Sequence, residues 1–198
     1  MNNFNKLKMY HMEKLRYAKE KQLVDQPVYY IIDYINSLNE YFTTSSCAGR
    51  IILLKIPKSG KKFEADFLFK SHYYIDFNYI WYRLLDIYKN YEEKIYFKQE
   101  PFILHVSSIN IDKAYEILNI ARKAGFKHSG IFLINNSRVM IEIMGNEKIE
   151  TLISENRELL IDEHYFRKLI DESNKKLYNV RLRMKKFYDI MINHYKNL

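Results

Sequence analysis

The sequence holds one cysteine, Cys47, and three prolines, five glycines and one tryptophan among 198 residues. A lone cysteine excludes an internal disulfide and any multi-cysteine zinc centre, and a reducing, cytoplasmic setting is the simplest expectation. No metal centre is expected. With so few glycines, no Gly-x-Gly-x-x-Gly run exists, so the backbone turn that lets a Rossmann sheet approach a dinucleotide is missing. No apolar run approaches the roughly 20 residues that a membrane helix needs, so no membrane association is expected. Met1–Lys21 is charged throughout and has no apolar core of an export signal.

Charge and aromatics are what the chain does have. Thirty-two Lys and Arg face twenty-four Asp and Glu, a net charge of +8 that favours anionic partners such as nucleic acid or a membrane surface. Hydrophobic residues make up 47%, enough for a packed core, and the length suits one domain spanning 1–198. The patterning predicts α+β architecture: a single two-layer domain with a mixed β-sheet packed with helices, and no Rossmann fold. Helices are expected over 4–22, after Asp25-Gln26-Pro27 with Asp25 as N-cap, over 77–88, and between the Asn110 cap and the Gly125 stop. Strands are expected at 51–56, 63–71, 95–97, 102–106 and 159–161, a turn at Lys58–Lys61, and a hairpin around Asn135-Asn136-Ser137. From Asp162 onward an apolar stripe from Phe166 to Met191 runs without Gly or Pro, which predicts one long C-terminal helix.

Thr43-Thr44-Ser45-Ser46-Cys47-Ala48-Gly49-Arg50 is small and polar and reads as a loop between a helix and a strand. Small side chains let backbone N–H groups approach a ligand, hydroxyls add donors, and Arg50 supplies a fork suited to phosphate or carboxylate. Taken alone, such a loop more often satisfies only its own backbone.

Four segments in register go further. Val24-Asp25-Gln26-Pro27 with Ile35-Asn36-Ser37-Leu38 and Tyr41–Ile51, then Phe67-Leu68-Phe69-Lys70-Ser71-His72, then Glu100–Val106, then Gly125–Ile131, together resemble the tRNA wybutosine-synthesising methyltransferase family, including its archaeal members. The likeness covers most of the chain. It departs at Phe67, where the family pattern has Trp, and near Met144, where the pattern has Arg.

That resemblance implies a methyltransferase that uses S-adenosylmethionine to methylate N4 of a 7-aminocarboxypropyl-demethylwyosine-type base at position 37 of phenylalanine tRNA, beside the anticodon. It also implies His72 and His105 as catalytic candidates, and Ser45, Ser46, Gly49, Arg50, Ser71, Ser129 and Gly130 as cofactor or substrate contacts. The expectation is that Ser45, Arg50, His72, His105 and Ser129 line one cavity, with Ser129-Gly130 forming a tight turn. Lys175, Lys176, Arg181, Arg183, Lys185 and Lys186 are candidate contacts to the RNA backbone. Two other readings stand beside it: a non-catalytic tRNA-binding module of the same fold, and a thiol enzyme built on Cys47 with His72 or His105.

Overall fold

A computed structural model describes residues 3–59, 61 and 64–196. Gly60 in the expected turn and Phe63 at the head of an expected strand lie outside the described residues. The elements run α1 (Asn3–Glu20), α2 (Tyr29–Ser37), β1 (Tyr41–Cys47), β2 (Arg50–Ile56), β3 (Asp66–Ser71), α3 (Phe77–Ile87), β4 (Lys94–Glu100), β5 (Ile103–Ser108), α4 (Ile111–Ala124), β6 (Gly130–Asn135), β7 (Arg138–Met144), β8 (Ile149–Glu155), β9 (Glu158–Leu159) and α5 (Glu163–Lys196).

The α+β class and the long C-terminal helix are borne out. The strands, however, divide into two sheets, both antiparallel, where one mixed sheet was expected. Each sheet has its own hydrophobic core and belongs to its own compact unit. The first unit comprises 1–48, 101–146 and 180–198, the second 49–100 and 147–179.

In the first unit the strand order is β1-β5-β7-β6. Alternate side chains of the two central strands, Leu104 and Val106 on β5 with Ile141 and Ile143 on β7, are fully buried. They join Ile31, Ile32 and Ile35 of α2, Ile117 and Ala121 of α4, and Val180, Met184 and Phe187 of α5. Asn110 caps α4 through its side chain, which accepts the Lys113 N–H at 2.9 Å, and Gly125 ends it at φ 107°. The last turn of α5 is pinned by Tyr195, whose hydroxyl donates to the Tyr41 hydroxyl at 2.7 Å, and Tyr41 in turn donates to the Lys113 carbonyl at 2.9 Å.

In the second unit the order is β3-β2-β4-β8-β9. Phe166 of α5 centres its core, with Trp81, Phe97 and Phe77 rings at 5.6, 5.7 and 6.4 Å. Asn174 of α5 both donates to the Ile75 carbonyl and accepts the Ile75 N–H, at 2.9 and 3.0 Å. This fixes the entry to α3, which Asp76 caps.

Two local expectations are corrected. Thr43–Cys47 is not a loop but the greater part of β1, because Ser45, Ser46 and Cys47 pair with His105, Leu104 and Ile103 of β5. Only Ala48-Gly49 separates β1 from β2, with Gly49 at φ 82°. Asp25 does not cap the following helical turn with its side chain. Its carboxylate instead accepts the N–H of buried Ala48 at 2.8 Å, closing the end of β1.

Candidate active site

The chemistry-bearing residues of the first unit are set by a defect in β1. Asn36 of α2 clasps Thr43: its amide donates to Thr43 Oγ1 at 2.9 Å, and its Oδ1 accepts the Thr43 N–H at 2.8 Å. With that N–H committed to a side chain, the β1–β5 register shifts between Thr43 and Ser45. Such a bulge re-aims the residues beyond it. Ser45 is thereby set opposite His105, His105 opposite Glu142 of β7, and Glu142 opposite Gly130 of β6. Residues that oppose one another share a face, so these four form one row across the sheet.

The row is wired. Ser45 Oγ lies 2.9 Å from His105 Nδ1, and His105 Nε2 lies 3.0 Å from Glu142 Oε2. An ionised carboxylate only accepts, so Nε2 carries the hydrogen given to Glu142 and Nδ1 is left as acceptor for the Ser45 hydroxyl. The imidazole keeps 28% of its side-chain surface open. Phe132, half exposed in the β6 bulge between Ile131 and Leu133, puts its ring 5.0 Å from that imidazole. Both ring nitrogens of His105 are engaged with Ser45 and Glu142, so a Cys47–His105 thiolate pair is not formed.

Ser45 also lines a cleft of about 320 Å³ together with Thr43, Thr44 and Ser46. Its other wall is Lys14, Leu15 and Ala18 of α1 with Leu23 and Val24. His11 of α1 borders it too, stacked on Phe42 at 5.1 Å. Burial, then the charges of Arg138 and Lys14, hold the His11 imidazolium below its usual range. A larger depression of about 1030 Å³ runs along α1 past Lys8, Glu13 and Ile109, but no residue singled out from the sequence lines it.

The tight turn expected at Ser129-Gly130 lies just before it, closed by the Ser129 N–H on the Phe126 carbonyl. The Ser129 hydroxyl is buried, donates to the Phe126 carbonyl at 2.8 Å and accepts the Met144 N–H at 3.2 Å, so it clasps two segments of backbone. Gly130 starts β6 without a positive φ; the left-handed residue of this stretch is Gly125. Open space surrounds the place where a Gly130 Cβ would stand.

The second unit holds the remaining candidates. His72 Nδ1 donates to the Gly49 carbonyl at 3.1 Å. Arg50 Nε donates to Glu100 at 2.6 Å, and its guanidinium lies 4.8 Å from the centroid of Phe67. The Ser71 hydroxyl closes a local turn, donating to the Tyr73 carbonyl and accepting its N–H. Ser45 and His105 are thus joined in the first unit, while Arg50 and His72 belong to the second.

The basic residues of α5 differ in their surroundings. Arg181 donates to the carbonyl of Ala48 and to Met184 Sδ. Lys185 pairs with Asp189 at 2.7 Å and Lys176 with Glu172 at 3.5 Å. Lys175 and Lys186 are exposed, and Arg183 donates to Asn146 at 3.0 Å.

Residues 5–193 match the family model described as Methyltransferase TYW3. The chain belongs to the TYW3 methyltransferase family. A Thermococcus sibiricus relative is 34% identical over 94% of this chain and 93% of its own. It is named tRNA(Phe) 7-((3-amino-3-carboxypropyl)-4-demethylwyosine(37)-N(4))-methyltransferase, as is a Methanocaldococcus jannaschii relative that is 36% identical over 84% of this chain and 86% of its own. Among solved structures, the PH1069 protein of Pyrococcus horikoshii superposes with a TM-score of 0.88 at 29% identity, covering 94% of this chain and 95% of that one. Within the TYW3 family pattern, Phe67 keeps the cation–π contact with Arg50 that an indole would make more strongly.

Glu142 is the site residue that the motifs do not flag. It stands alone as a charged residue inside the apolar run Val139–Ile143, directly opposite a histidine, and that break in the pattern is the available signal.

Proposed function

We propose that this chain, acting as one domain over 1–198 in the cytoplasm, methylates N4 of a 7-(3-amino-3-carboxypropyl)-4-demethylwyosine-type base at position 37 of tRNA(Phe). S-adenosylmethionine is the donor. Membership of the TYW3 family and the names of relatives matched over nearly their whole length support the reaction. The observation that carries the site is that Ser45 belongs to two things at once, the hydroxyl-lined cleft and the hydrogen-bonded row to His105 and Glu142.

The cleft fits the cofactor chemically. Its volume lies at the lower end of the roughly 300–1,000 Å³ range of small-molecule pockets. Leu15, Ala18, Leu23 and Val24 offer apolar wall to a nucleoside, the Thr44, Ser45 and Ser46 hydroxyls offer hydrogen bonds, and Lys14 offers a cation to a carboxylate. When bound, S-adenosylmethionine supplies an electrophilic methyl group.

The chain's own work is positioning and proton acceptance. A ring nitrogen that carries hydrogen must lose that proton as it gains a methyl. The Ser45 oxygen can receive it while passing its own proton to His105 Nδ1, and the Glu142 carboxylate stabilises the resulting imidazolium. Phe132 offers a flat apolar face beside His105 on which an extruded base stacks, worth about 1–3 kcal/mol. Positioning itself can lower the barrier by roughly 7–11 kcal/mol. In the second unit, Arg50 and His72, held by Glu100 and by the Gly49 carbonyl, are candidate substrate contacts.

The deciding experiment incubates the purified chain with S-adenosylmethionine and tRNA(Phe) bearing the demethylated tricyclic base, then digests the RNA for mass spectrometry. Gain of one methyl on that base is expected. Its absence with both substrates saturating refutes the reading, and tRNA binding without transfer would leave a non-catalytic module.

A further inference from the structure

A second cleft in the first unit is built from cations. It opens where α4 ends and is lined by Gly125, Lys127, His128, Met144, Asn146 and Arg183, with no carboxylate among them. Its volume is about 240 Å³, below the roughly 300–1,000 Å³ of pockets that take whole small molecules, so it suits one charged group.

The sequence goes to some length to place the arginine there. Gly125 adopts φ 107°, and a Cβ at that position would meet Arg183 Cδ at 3.2 Å. The glycine both closes α4 and lets the Arg183 side chain lie across the helix end. Asn146 Oδ1 then accepts from Arg183 Nη1 at 3.0 Å, which fixes the plane of the guanidinium. A guanidinium so placed brings a fixed positive charge to the cleft. Lys127 and His128 project from the exposed turn that follows, exposed Lys123 lies in the last turn of α4, and exposed Lys186 is about one turn beyond Arg183 on α5.

The cleft is also close to the row described above. Met144 on its wall is two residues from Glu142 on β7, one strand repeat of roughly 7 Å.

We propose that this cleft is a phosphate clamp, gripping a backbone phosphodiester of the RNA near the target base through Arg183, Lys127 and His128. The inference rests on the reading that RNA is the substrate. It adds a specific anchor in Lys127 and His128, to which nothing in the α5 basic run points.

The test measures tRNA binding by fluorescence anisotropy across a potassium chloride series, for the wild-type chain, Lys127→Ala/His128→Ala and Arg183→Gln. Each variant should bind roughly three- to tenfold more weakly, with the slope of log K against log salt shallower by about 0.7–0.9 for each phosphate no longer neutralised. Met144→Arg, which adds a cation to the wall, should tighten binding and steepen the slope. Calorimetric titration with S-adenosylhomocysteine should be unchanged in all of them.

Unaltered RNA affinity and slope in the Lys127/His128 double variant, whose residues are exposed and carry no fold, overturns the clamp. So does loss of S-adenosylhomocysteine binding with RNA affinity intact, which would assign the cleft to the cofactor's carboxylate. A wild-type chain whose tRNA binding responds to these substitutions but which transfers no methyl refutes the methyltransferase reading and leaves the clamp standing.

Discussion

If Ser45 and His105 act as one unit, removing both should cost no more than removing His105 alone. A positioned proton acceptor contributes about 10²- to 10⁴-fold, so His105→Ala should lower kcat by that range, equivalent to about 3–5 kcal/mol at 1.36 kcal/mol per decade. Ser45→Ala breaks the 2.9 Å link to Nδ1 but leaves the imidazole and Glu142 in place. Because the Ser45 oxygen is the atom that takes the proton, the resulting drop should approach that of His105→Ala, about 10²-fold or more. Because Ser45 is exposed, its replacement should shift unfolding free energy by less than about 0.5 kcal/mol. The assay is single-turnover methyl transfer from labelled S-adenosylmethionine, run for the two single variants and the double. A double variant within a factor of about two of His105→Ala supports the relay, since groups acting as a unit are strongly non-additive. Multiplying effects would mean that serine and histidine serve separate steps, and the proton path drawn above would be wrong.

Other outcomes follow from the same structure. His11 is held below its ordinary value by burial and by Arg138 and Lys14, so the unfolded chain binds the extra proton first as pH falls below 6.5. Stability should therefore decline on acidification from about that value, and denaturant titrations between pH 5 and 7 should show a shallower decline in His11→Gln. Asp25→Ala strips the partner from the buried Ala48 N–H and should cost about 1–3 kcal/mol by urea unfolding, whereas Asp25→Asn, which keeps an acceptor, should cost less. Cys47→Ala should retain most methyl transfer, and complete inactivation of that variant would favour the thiol reading instead.

Local signals carry far in this chain where one residue decides one turn of backbone. Asn110 and Gly125 bound α4 as their residue types predict, and the uninterrupted stripe from Phe166 to Met191 is α5. Local signals fail where the partner is distant. Ser45 and Ser46 look like loop because hydroxyls favour turns, and only pairing with β5 makes them strand. The Asn36 clasp that aims Ser45 joins residues seven apart through side-chain geometry that no periodicity encodes. β8 is hard to see although Ile149, Thr151 and Ile153 alternate properly, since Glu150 and the flanking Glu147 and Lys148 mask the pattern. The division into two sheets rests on pairings such as Ile95 with Ser154, which a local window does not contain. At the site, His105 and the serines are legible from the motifs, while Glu142, Phe132 and the Gly125–Arg183 crossing need the register of the sheet.

The polypeptide leaves each compact unit and returns, changing over at 48/49, 100/101, 146/147 and 179/180. Phe166 and Leu177 near one end of α5 complete one core, and Val180 and Phe187 beyond them complete the other. Neither half can be cut out as a continuous fragment. During synthesis, both cores stay open until this one helix has emerged, so neither half can close ahead of it.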